Sequence, residues 1–199
     1  PPPPPPTPQV GSAAVECVLS LSPPATLEAF HAAALDKKCA AYLDDAHANY
    51  VLQALLAHAP PALAESVCTE LLKCGRLADV ARRGVLFRAL DRCAEVEGGG
   101  LQERYFNAAA GIEVGKMLGV ALPEKEGGRM TVDVNGARCL NRLLKFDKVW
   151  SEKVMKRVQA GLDARTLKCM CMDGFASKVV VEAVLEGGGA EWVGEKLKE

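Results

Sequence analysis

Asp133-Val134-Asn135-Gly136-Ala137-Arg138-Cys139-Leu140-Asn141-Arg142-Leu143-Leu144 sets Cys139, Leu140, Leu143 and Leu144 on one helical stripe, with polar Asn141 inside the pattern and on the opposite face. Three other stretches repeat that design: Ala48-Asn49-Tyr50-Val51-Leu52-Gln53-Ala54-Leu55-Leu56, Arg83-Gly84-Val85-Leu86-Phe87-Arg88-Ala89-Leu90 and Ser177-Lys178-Val179-Val180-Val181-Glu182-Ala183-Val184-Leu185. A short helix of this kind cannot bury its apolar stripe alone, so ordered copies along a chain mean a solenoid with one continuous surface for a long partner. The expected burial is Val51, Leu55, Leu86, Leu140, Leu143, Val180 and Val184, with residues 49, 53, 88, 138, 141 and 182 on one face.

Helices pair around these copies. Leu27–Leu35 precedes Cys39–His58, Leu63–Lys73 precedes Leu77–Val96, Leu101–Leu118 precedes Val132–Phe146, and Glu152–Gly161 precedes Ala164–Leu185. The punctuation is Pro60-Pro61, Gly98–Gly100, Gly127-Gly128 and Gly187–Gly189. Polar residues or glycine interrupt the long second members at Asp44-Asp45 and Asp173-Gly174, so each is expected to bend there, giving three helices per repeat. The central polar residues 53, 88, 141 and 182 predict a repeat of roughly 35–40 residues, within the range of helical repeats, and an insertion over 119–131. Residues 1–24 are proline-rich and expected to form an extended or disordered lead-in. Residues 25–199 then hold about four repeats and, after Gly189, the start of another. A chain that begins on proline is expected to continue upstream.

Composition agrees. Of 199 residues, 49% are hydrophobic and only 5% aromatic, which suits Ala/Leu/Val-rich helices packed on one another and suits a sheet sandwich poorly. No apolar run is long enough to span a membrane, and the proline-rich start lacks the basic region of a signal peptide. The formal net charge is −1, yet its distribution is uneven. Residues 137–178 carry ten Lys or Arg against four Asp or Glu. That window fits contact with a polyanion, and equally a solvated helix face. The eight cysteines fall mostly on apolar stripes, where they pack as small hydrophobes. Cys169-Met170-Cys171 lacks the spacing of a zinc site, so no metal or cofactor is expected. Reduced thiols suit the cytosol, the nucleus or an organelle matrix.

The series of Asn-Tyr-x-x-Gln and Ala-Arg-x-x-Asn helices, each preceded by an Asp-x-x-Ala/Gly turn, resembles the Pumilio (PUF) repeat over about residues 25–199. It looks most like the divergent nucleolar pumilio-like branch of small-subunit ribosome biogenesis. The resemblance implies an all-α, right-handed solenoid of three-helix repeats that binds single-stranded RNA or pre-rRNA. It also implies ribosome-assembly proteins as partners and a location in the nucleus, at the nucleolus. By the same resemblance three residues of each repeat helix face one base, two reading its edge and one stacking.

In the first copy these are Asn49, Tyr50 and Gln53, a set that by resemblance favours uracil. Residues 49 and 53 share a helix face, both are amides, and Tyr50 offers a ring beside them. The second copy gives Gly84, Val85 and Arg88. Glycine cannot read an edge there, while Arg88 with Arg83 can hold a phosphate. The third gives Ala137, Arg138 and Asn141, where the Arg138 guanidinium can stack on a base. The fourth admits two registers, Ser177/Lys178/Val181 or Lys178/Val179/Glu182. Burial of the valines favours the second, placing Lys178 and Glu182 on the RNA face. Base-by-base specificity is therefore expected to be eroded.

No nucleophile–base constellation stands out, and the glycine-rich stretches lack a phosphate-loop pattern, so no enzymatic activity is expected. The rival readings are a protein-binding helical scaffold of the HEAT or armadillo type and an organellar RNA-binding repeat protein, which would move the location to an organelle matrix or the cytoplasm.

Overall fold

The computed structural model describes residues 8–75, 83–95, 100–109, 112–123 and 130–199. They form α1 (Pro8–Leu21), α2 (Pro24–Phe30, continued by a π-turn over His31–Leu35), α3 (Cys39–Asp44), α4 (Ala48–His58), α5 (Pro61–Lys73), α6 (Arg83–Glu95) and α7 (Gly100–Ala109). Next come α8 (Val114–Leu118), α9 (Val134–Leu144), α10 (Lys148–Gly161), α11 (Ala164–Met172), α12 (Gly174–Ala176), a π-turn over Ser177–Val181, α13 (Glu182–Val184) and α14 (Ala190–Lys198). Among the described residues there is no strand, only an isolated antiparallel bridge between Ala121 and Thr131. The protein is an all-α repeat stack.

Local chemistry sets the boundaries. Asp45, Asp133 and Asp173 each stand just ahead of a repeat helix and accept backbone N–H groups from its first turn. The Asp45 carboxylate takes His47 and Ala48 (2.8 Å each), Asp133 takes Gly136 (2.6 Å), and Asp173 takes Phe175 (3.0 Å) and Ala176 (2.8 Å). These bonds hold the Asp45 carboxyl below its ordinary pKa, Ala48 first and His47 second. Prolines begin α2 and α5, where a missing N–H costs nothing. Gly119 closes α8 in the left-handed conformation at φ 56°.

The repeat helices form one row. α4 packs on α1, α6 on α4, α9 on α6, and the π-turn with α13 on α9. α5, α7 and α10 form a second row behind them. Val51, Leu55, Leu86, Leu140, Leu143, Val180 and Val184 are all buried in the core this creates. The expected bends at Asp45 and Asp173 separate α3 from α4 and α11 from α12, giving the three-helix units α3–α4–α5, α8–α9–α10 and α11–(α12, α13)–α14.

Polar ties brace the stack, within units and between them. Gln102 of α7 donates to the Cys93 carbonyl (3.4 Å) and accepts from the Asp147 N–H (2.9 Å), while Tyr105 donates to the Cys68 carbonyl (3.0 Å). Arg157 donates to the carbonyl of Ile112 (2.8 Å), and Arg142 pairs with Asp91 (2.7 Å). The Gln102 and Tyr105 bonds close polar groups that the stack would otherwise bury unpaired.

Three expectations are corrected. The lead-in is not extended throughout, because residues 8–21 are helical and α1 continues the row of repeat helices; only Pro8 falls inside α1, so the proline run does not break it. The span Leu101–Leu118 is two helices, α7 ending one unit and α8 opening the next. The helix after Gly189 does not start a new repeat. It is α14, which packs on α11 and completes the fourth unit. Of the insertion, Ala121 and Thr131 bridge its base, and residues 124–129 lie outside the described residues.

Candidate nucleic-acid interface

The open face of the repeat row carries two adjoining grooves. The first, of about 440 Å³, is lined by Glu16, Cys17 and Ser20 of α1, by Tyr50, Gln53, Ala54, Ala57 and His58 of α4, and by Arg88 of α6. The second, of about 190 Å³, is lined by Phe87, Arg138, Asn141, Arg142, Lys145 and Val179. One ring links them. The Arg88 guanidinium carbon lies 5.2 Å from the centroid of Phe87, and that of Arg138 lies 5.5 Å from the same centroid. Tyr50, Gln53, Arg88, Arg138 and Asn141 thus lie on one continuous face.

Their chemistry is uneven. Tyr50 is 49% exposed, a bare ring at the mouth of the first groove. Asn49 is engaged with its own turn, where Nδ2 donates to the carbonyls of Asp45 and Ala46 (2.9 Å each) and Oδ1 accepts from Gln53 Nε2 (3.0 Å). Gln53 Oε1 accepts no hydrogen bond among the described residues, whereas both polar atoms of the Asn49 amide are engaged locally. Asn141 Nδ2 donates to the Val179 carbonyl in the π-turn of the next repeat (3.0 Å), so that amide ties two repeats together. Asn141 also lines the second groove.

Three site expectations change. Ala137 is 0% exposed, because it sits at the start of the α9 stripe against the preceding unit, and it presents no surface to RNA. In the second copy Val85, Leu86, Ala89 and Leu90, each at most 1% exposed, match Val51, Leu52, Leu55 and Leu56 in spacing, so Phe87, itself buried at 8%, and not Arg88, holds the place of Gln53. Val85 is buried and cannot stack. Arg88 stands one position further round and still reaches the groove. The side chain of Arg83 lies outside the described residues.

In the fourth copy the Asp173 cap counts Ser177 and Lys178 into the places of Asn49 and Tyr50, against the register that starts at Lys178. The π-turn then intervenes: the Glu182 N–H donates to the Ser177 carbonyl, a wide turn that holds one residue more than an α-turn. Lys178 and Glu182 are both exposed, but neither lines either groove.

Phe87 is the site residue that sequence reasoning missed. It stands in the run Val85-Leu86-Phe87, which reads as core, and only the three-dimensional approach of two arginines marks it.

Stacked three-helix units with an open face of aromatic, amide and guanidinium groups define a helical repeat protein. A profile of the NOP9-like PUF repeat domain matches residues 7–188, and the chain belongs to that family. No curated protein and no solved structure matches it. The family makes the chain an RNA-binding helical repeat scaffold, and PUF repeats are non-catalytic. No described helix is long and apolar enough to cross a membrane.

Proposed function

We propose that the protein binds single-stranded precursor ribosomal RNA along this face as a small-subunit assembly factor of the nucleolus, alongside other assembly proteins. The observation that carries the reading is the continuous face from Tyr50 to Asn141 in a chain of the NOP9-like family. Backbone contact supplies most of the affinity. Arg88, Arg138 and Lys145 are available there, whereas the amides of Asn49 and Asn141 are tied to protein groups, so edge reading is weak. RNA-binding residues in this reading are Tyr50, Gln53, Arg88, Arg138 and Asn141, with Lys178 and Glu182 at one end.

Affinity for a single strand is expected to fall steeply with salt, log K against log salt having a slope of about −0.7 per phosphate neutralised. Fluorescence anisotropy with a uridine-rich strand at several salt concentrations measures it. A flat response, or no binding at low salt, contradicts the reading. Crosslinking in cells tests the finer part: small-subunit precursor rRNA is expected in the recovered RNA, and its absence points to another target.

A further inference from the structure

We propose that Phe87 is a positioning residue that holds Arg88 and Arg138 as a clamp for the RNA backbone phosphate at the second repeat, and that no base is read at that step. The inference rests on the RNA-binding reading above and deepens it.

In the second repeat a phenyl ring replaces the edge-reading amide. It has no donor or acceptor to offer a base edge, and at 8% exposure it offers little surface for stacking. Gly84 stands beside it with no side chain, and the Gln53 amide of the preceding repeat lies across that gap: a Cβ at Gly84 would meet Gln53 Nε2 at 2.9 Å. Neither Gly84 nor Phe87 offers a group that could discriminate one base from another.

What the ring does instead is gather charge. Two guanidiniums from different helices approach one centroid at 5.2 and 5.5 Å, and Lys145 lines the same groove as Arg138. Neighbouring Arg142 is neutralised by Asp91, but neither Arg88 nor Arg138 has a carboxylate within ion-pair distance among the described residues. Like charges held together without a counter-charge repel. The negative face of the ring offsets part of that cost and fixes the guanidinium positions. Two unpaired guanidiniums positioned by one ring, Arg88 lining the first groove and Arg138 the second, suit one ligand chemistry, the phosphate oxygens of a polyanion that threads the face.

The test measures affinity and its salt slope for uridine-, adenosine- and cytidine-rich single strands with the wild type, Phe87→Leu, Phe87→Tyr and the double variant Arg88→Ala/Arg138→Ala, with melting temperatures to confirm folding. Phe87→Leu changes no charge, and it is expected to weaken all three strands alike by about fivefold, near 1 kcal/mol. Phe87→Tyr keeps the ring and is expected to retain wild-type affinity, which a merely space-filling role for Phe87 would not explain beside a folded Phe87→Leu. The double variant is expected to flatten the slope by about 0.7 for each phosphate it no longer neutralises. Wild-type binding with an unchanged slope in the double variant, or with no loss in folded Phe87→Leu, overturns the clamp and leaves RNA binding standing. A loss confined to one strand type also overturns it, since that is base reading. Failure of the wild type to bind any strand overturns the RNA-binding reading itself.

Discussion

Leu55→Ala and Leu143→Ala are each expected to lower stability by about 2–5 kcal/mol, the range for emptying a well-packed leucine site. Leu55 is fully buried and Leu143 nearly so, in equivalent places on α4 and α9, where each is enclosed by its own unit and the neighbouring ones. Neighbouring repeat helices are braced by the next unit and by ties such as Arg142–Asp91, so the stack cannot collapse around the missing methyls without shifting a whole helix. Denaturant melts read the effect. A loss below about 0.5 kcal/mol for both, the size typical of surface changes, would mean that the stripe does not face the core.

Gly136→Val carries the second large effect. Gly136 lies in the first turn of α9, where α8 crosses so closely that a Cβ would stand 1.9 Å from the Met117 carbonyl oxygen. The obstacle is backbone, so no rotamer change relieves it, and the helices must separate. The expected loss is about 3 kcal/mol, at the upper end for overpacking. The better helix propensity of a non-glycine residue returns at most about 1 kcal/mol. Gly194→Ala is the control: nothing lies within 4 Å of a Cβ there, inside α14, and a small gain in melting temperature is expected. The equivalents of Gly136 in the first and fourth copies are Ala48 and Ala176, so small residues hold this place wherever the Asp cap is described. Equal melting temperatures for wild type and Gly136→Val would contradict the close crossing.

How much of this was legible follows from which interactions are local. The Asp-x-x-Ala/Gly caps and the paired apolar positions lie within one helix, so the repeat helices, their bends and their buried leucines could be read directly. Helix α1 could not: polyproline dominates residues 1–8, and the stripe ending in Leu19 is sparse beside the other copies. The second-repeat register failed for a different reason. Val85-Leu86-Phe87 offers three apolar residues where the first and third copies show two before a polar one, and only the packing decides which of them takes the polar place. Ala137 failed because alanine carries no pattern of its own. The fourth register needed the π-turn, whose extra residue makes the cap count and the exposed Glu182 disagree. The Phe87–Arg88–Arg138 cluster joins residues on two repeats and has no signature within either.

The most direct test of the account is the affinity of a uridine-rich single strand for Tyr50→Ala and Arg138→Ala beside the wild type, with folding checked by melting. Both side chains are exposed on the open face and away from the buried stripe, so the protein is expected to stay folded. Tyr50→Ala is expected to lose about 1–3 kcal/mol of affinity because a base can no longer stack there. Arg138→Ala is expected to weaken binding as well, with the salt slope flattened in addition. Unchanged affinity in both folded variants would contradict the account, because RNA would then be held elsewhere than along the face from Tyr50 to Asn141.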